Sequence, residues 1–104
     1  MAKETLHSIS VKTDKTIKMI GYVLRKIRSE NGYTVEEVSD MVGVGQRTVR
    51  NAELSRNNTH IQWDKMAEPR ISTVMKMCIV YKVDLSDLLK RVEETIKNQE
   101  QDGI

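Results

Sequence analysis

The chain has no Phe, one Trp and three Tyr, so aromatic residues make up only 4% of its 104 positions. A core without many large rings must be filled by aliphatic side chains and by methionine, of which there are six. One Pro and five Gly leave few helix breakers, and long β-branched runs are scarce, which favours an all-α fold. The lone Cys78 cannot close an internal disulfide, so the chain reads as a protein of a reducing, cytoplasmic compartment. No apolar run reaches the ~20 residues that a membrane-spanning helix needs, and the N-terminus lacks the make-up of a signal peptide. There is no Gly-rich phosphate loop and no plausible nucleophile–base pair. His7 and His60 stand far apart, with no Cys or carboxylate cluster at ligand spacing. An enzyme, a metal site, a bound cofactor and a membrane partner are therefore not expected.

What is present is charge, at 31% of residues, balanced to a net +2. The balance says little; the distribution says more. Lys12, Lys15, Lys18, Arg25, Lys26 and Arg28 face one acid, Asp14, within residues 12–28. Glu93, Glu94, Glu100 and Asp102 face Lys97 near its end. A basic front and an acidic tail suit nucleic-acid binding by one face, although ordinary surface charge can produce the same asymmetry.

Residues 1–16 are polar without a sustained period and read as a flexible arm. Ile17, Ile20, Leu24 and Ile27 then recur at helical spacing, and Asn31-Gly32 supplies a stop. Thr34 with Glu37 three residues later forms a capping box, opening a second helix from about Val35 to Val42. Gly43 ends it, because a glycine accepts the left-handed conformation that a tight turn needs. A third helix runs from about Gln46 to Leu54. Residues 55–69 break the pattern and form a long loop. After Pro69 a fourth helix carries Ile71, Val74, Met75, Cys78 and Tyr81 as its apolar stripe. Asp84 or Ser86 caps a fifth, with Leu85, Leu88, Leu89 and Val92 facing inward and Ile96 extending the stripe by a turn. The working division is an arm over 1–16, a helical domain over 17–92 and a polar, partly helical C-terminal tail over 93–104.

The second and third helices, joined by a glycine-centred turn, have the form of a helix-turn-helix unit, whose second helix enters the DNA major groove. Gln46, Arg47, Arg50 and Asn51 fall on one side of that helix, with Val49 and Ala52 on the other. Arg, Gln and Asn suit base reading because each makes paired hydrogen bonds to purine edges.

The ordered set of pieces resembles the lambda-repressor-like, Cro/CI-type helix-turn-helix family. The pieces are Leu24-Arg25-Lys26-Ile27-Arg28, Asn31-Gly32-Tyr33-Thr34, Glu37-Val38-Ser39, Gly43-Val44, Thr48-Val49 and Glu53, then Pro69-Arg70-Ile71, Val74-Met75-Lys76-Met77 and Val83-Asp84-Leu85-Ser86-Asp87-Leu88-Leu89. They cover about residues 18–90. The resemblance implies a compact five-helix DNA-binding domain with an unusually long loop between helices three and four. It implies base reading by Gln46, Arg47, Arg50 and Asn51, and DNA-backbone contact by Thr48, Arg56, Asn57, Asn58 and Arg70. It also implies a structural ion pair between Arg28 and Glu53. Three departures stand out: Val35 replaces a Gln that often touches phosphate, Gly45 replaces the usual Ser or Thr cap of helix three, and the loop is about ten residues longer than usual. That loop could add DNA contacts, through His60 or Lys65 as well, or form a protein interface.

The expected function is therefore a sequence-specific double-stranded-DNA-binding transcriptional regulator, a repressor, acting as a homodimer. Helix five and the tail from Lys90 to Gln101 are the first choice of dimer surface, and the long loop the second. Alternatives are an antitoxin-type interaction module with autoregulatory DNA binding, or an accessory protein of a conjugation or replication system. Trp63 covers the small core on the reading we favour, or anchors an interface. Cys78 and the methionines at 41, 66, 75 and 77 are expected in the core.

Overall fold

The structure, a computed structural model, describes residues 5–53 and 70–102. It contains five helices: α1 Leu6–Glu30, α2 Val35–Val42, α3 Gln46–Glu53, α4 Ile71–Tyr81 and α5 Leu85–Asp102, with no strand among the described residues. The all-α, five-helix architecture is the one expected. The long loop, with Arg56, Asn57, Asn58, His60, Trp63, Lys65 and Met66, lies outside the described residues.

The helices surround one core. α1 packs most extensively along α5, α2 lies on α3, and α4 closes the other side of α2. Leu24, Val38, Val49, Met77, Leu88 and Val92 are the largest side chains wholly removed from water, so every helix contributes to the interior. Burial of such side chains stabilises by ~1.5–3 kcal/mol each, and Cys78 and Tyr81 complete the layer from α4.

Local chemistry explains the helix ends. Thr34 Oγ1 accepts from the Glu37 amide, and Glu37 Oε1 accepts from the Thr34 amide, both at 3.1 Å. α2 stops at Gly43, whose φ of +78° is left-handed, and its N–H donates to the Ser39 carbonyl. α3 begins when the Gly45 carbonyl accepts from Thr48 and Val49.

Several details differ from the expectation. α1 begins at Leu6 rather than at Ile17, so the segment read as a flexible arm supplies its first turns. Its start is a second capping box, Thr5 with Ser8, and Thr13 and Thr16 hydroxyls donate to the Ile9 and Lys12 carbonyls. Two apolar side chains described in this stretch are turned to solvent, Leu6 at 81% and Ile9 at 48% exposed. A reading of core-facing periodicity does not register such a helix. α5 likewise runs on to Asp102, through the residues read as tail.

On α4, Val74, Cys78, Tyr81 and Met77 face inward as expected, but Thr73 joins them while Ile71 and Met75 lie outside. Leu89 on α5 and Met41 on α2 are also exposed, and Met19 and Val23 take interior positions on α1. The reason is geometric. A helix that is apolar all round offers more than one face, and packing against α2 selected the arc centred on Met77.

The two turn glycines separate conformation from space. A Cβ on Gly43 or on Gly45 meets nothing within 4 Å, yet only Gly43 has positive φ. Gly43→Ser should therefore cost about 1–2 kcal/mol. Gly45→Ser should gain a few tenths of a kcal/mol by capping α3. Denaturant midpoints of the two variants should move in opposite directions.

Candidate nucleic-acid interface

α3 divides cleanly around its axis. Val49 and Ala52 are buried and fix the helix to the core, with Glu53 beside them. Arg47, Thr48 and Arg50 are exposed, and Gln46 and Asn51 are half-buried. At 100° per residue, Gln46, Arg50, Arg47 and Asn51 span one arc opposite the buried face, and Thr48 lies beside it. Arg50 Nη2 donates to Gln46 Oε1 at 3.3 Å, which links two members of that arc along the helix. Arg70 is exposed at the N-cap of α4, on a separate element. Arg56, Asn57 and Asn58 fall outside the described residues.

The one acid of α3 is withdrawn from this surface. Arg28 Nε donates to Glu53 Oε2 at 2.9 Å and to Oε1 at 3.2 Å, while Nη2 donates to Oε1 at 3.1 Å. The third guanidinium nitrogen, Nη1, donates to the Tyr33 carbonyl at 3.0 Å. The pair is nearly enclosed, with side chains 17% and 7% exposed. Hydrogen bonding to Glu53 raises the proton affinity of Arg28 further, against the opposing effect of burial. With Glu53 neutralised inside, the outer side of α3 presents only positive charge and amide groups, the chemistry that suits phosphate and purine edges.

Three supports of this arrangement were not singled out from the sequence. Ser39 is buried on α2; its hydroxyl donates to the Val44 carbonyl, and its own carbonyl accepts from both Gly43 and Val44. One residue thus ties the α2–α3 turn from two sides. Its signal was a polar residue on the apolar side of α2, next to Val38. The Tyr33 carbonyl, being backbone, left no signal at all. Tyr81 stacks on Tyr33 with ring centroids 6.4 Å apart. Val35, which stands where a Gln often meets phosphate, is half-buried and packs against the core.

The Tyr81 hydroxyl is buried with no hydrogen-bond partner among the described residues. Burial, with the Glu53 charge added, pushes it well above the ordinary tyrosine range. A phenol held neutral in the fold but ionisable at pH ~10 when unfolded contributes stability that is complete below that pH and is lost as pH rises further.

Residues 23–94 match the family model of the Cro/C1-type helix-turn-helix DNA-binding domain. No curated protein matches the chain.

Two stability outcomes follow from this geometry. Glu53→Ala leaves the Arg28 guanidinium largely enclosed without its carboxylate. It should lower unfolding free energy by roughly 2–4 kcal/mol, slightly less than for a wholly buried pair. Tyr81→Phe removes an unsatisfied hydroxyl and should be neutral or stabilising by up to ~1 kcal/mol at neutral pH. Its advantage over the wild-type chain should widen above pH ~10. Urea titrations across pH measure both. An unchanged midpoint for Glu53→Ala would remove the ion pair from the account of α3 placement.

Proposed function

The chain belongs to the Cro/C1-type helix-turn-helix DNA-binding family, and from that premise we propose that it is a sequence-specific transcriptional repressor that binds double-stranded DNA as a homodimer. The observation that carries this reading is the outer arc of α3. Arg47 and Arg50 stand exposed beside the half-buried Gln46 and Asn51, and the only acid of the helix is bound internally to Arg28. In this reading α3 lies in the major groove. Gln46, Arg47, Arg50 and Asn51 meet base edges, and Thr48 and Arg70 meet phosphates and set the register. Arg28 and Glu53 touch no DNA; they hold α3 against α1 so that the arc points outward.

A single eight-residue recognition helix offers few base contacts. Two copies related by a twofold axis read half-sites one helical turn apart, ~34–36 Å, and so reach useful selectivity. The described helices serve binding and positioning, and no cofactor is called for. Control would come through the amount of protein present or through a partner.

Selection of bound sequences from a random duplex pool, at near-physiological salt because phosphate contacts are salt-sensitive, should enrich a palindrome. Failure to enrich any sequence would overturn the reading. Arg47→Ala combined with Asn51→Ala should abolish the enrichment while helical content and melting stay close to those of the wild-type chain. A double variant that still selects the same site would show that α3 is not the reading element.

A further inference from the structure

The outer arc of α3 resolves into two columns along the helix, Gln46 with Arg50 and Arg47 with Asn51, because a step of four residues advances only about 40° around the axis. The first column is joined: Arg50 Nη2 donates to Gln46 Oε1 at 3.3 Å. Chemistry dictates which end of the amide faces the guanidinium, since the amide nitrogen turned that way would set donor against donor. Gln46 is half-buried and Arg50 exposed, so the shorter side chain is the firmer partner. The acid of α3, Glu53, is bound to Arg28 and does not compete for Arg50.

This bond changes what Gln46 offers to a base. A glutamine recognises adenine by presenting both ends of its amide together, the oxygen accepting from N6 and the nitrogen donating to N7. Here the oxygen is turned along the helix to Arg50, and Gln46 is left with its Nε2 hydrogens. Arg50 has no acceptor, and its bond to Gln46 leaves most of its N–H groups available. The column therefore presents donors only. Guanine answers it fully, because its major-groove edge carries the acceptors N7 and O6, whereas adenine and cytosine set an amino donor against it.

We infer that Gln46 is a positioning residue for Arg50 and that the two act as one unit selecting a guanine. This rests on the placement of α3 in the major groove in the proposed function, and it names a base which that helix selects. The bond serves order more than strength. A long arginine gives up rotamer freedom when it docks on a base, and a partner that holds it beforehand reduces that loss. The guanidinium then enters the groove already aligned for the paired contact with N7 and O6.

The test is binding of the full chain to the duplex enriched by selection, followed by fluorescence anisotropy at near-physiological salt. That duplex should hold a guanine whose preference disappears in Arg50→Ala. Replacing this guanine by 7-deazaguanine, which lacks the N7 acceptor, should weaken wild-type binding roughly tenfold and leave binding by Arg50→Ala almost unchanged. Gln46→Ala keeps Arg50 but removes its partner, and should reduce the discrimination of guanine from adenine at that position severalfold. Gln46→Glu restores an acceptor for Arg50 and should keep the discrimination, whatever its overall affinity. Helical content should stay constant through the series. An adenine preference erased by Gln46→Ala would overturn the inference, since both ends of the amide would then face a base. So would a guanine preference indifferent to Gln46→Ala, or an enriched site with no guanine that answers to Arg50→Ala; each of these leaves the DNA reading standing. Enrichment of no sequence at all would overturn the DNA reading and the inference with it.

Discussion

The orientation of α3 depends on one interaction, the enclosed contact between Arg28 and Glu53. It joins the last turn of α1 to the last turn of α3, and through the Tyr33 carbonyl it also holds the connection into α2. A lysine in place of Arg28 could not make the same set of bonds, because the planar guanidinium serves a carboxylate and a carbonyl from one rigid fork. The net energy of such a pair is small compared with the cost of leaving either half alone. Its value here is positional. It fixes the roll of a short helix whose hydrophobic anchorage is only Val49 and Ala52.

The second fixed point is the turn between α2 and α3. The left-handed glycine reverses the chain, and the Ser39 hydroxyl and carbonyl hold Val44 in place. With the turn tied at one end of α3 and the ion pair at the other, the helix has little freedom to tilt or rotate. Two helices of eight residues each would be marginal alone in water. They are held here by end restraints and by α4 packed across α2.

Much of this was legible in the sequence wherever local chemistry decides. The Thr34–Glu37 box, the Gly43 stop and the inward side of Val49 and Ala52 are all set by neighbours within one or two turns. The family and the five-helix order were legible for the same reason. What escaped was settled by packing at a distance. Periodicity shows which residues share a side, but not which of two apolar sides a neighbour will cover. Ile71 and Met75 were therefore assigned inward although they lie outside, and Thr73 was passed over although it is buried. The opening turns of α1 escaped for the opposite reason: they are helical through capping and threonine back-bonding, with little burial to mark them. In the candidate site, side chains could be nominated from the resemblance, whereas the Tyr33 carbonyl that braces Arg28 could not, because backbone partners carry no letter of their own.

The division of α3 into an anchored side and an outward arc also bears on how such a chain can diversify. Arg47 and Arg50 contribute nothing to the interior, and Gln46 and Asn51 little. These positions can drift without disturbing the fold, whereas Val49, Ala52 and Glu53 cannot. A few solvent-facing letters of α3 could be exchanged with the inherited scaffold left untouched.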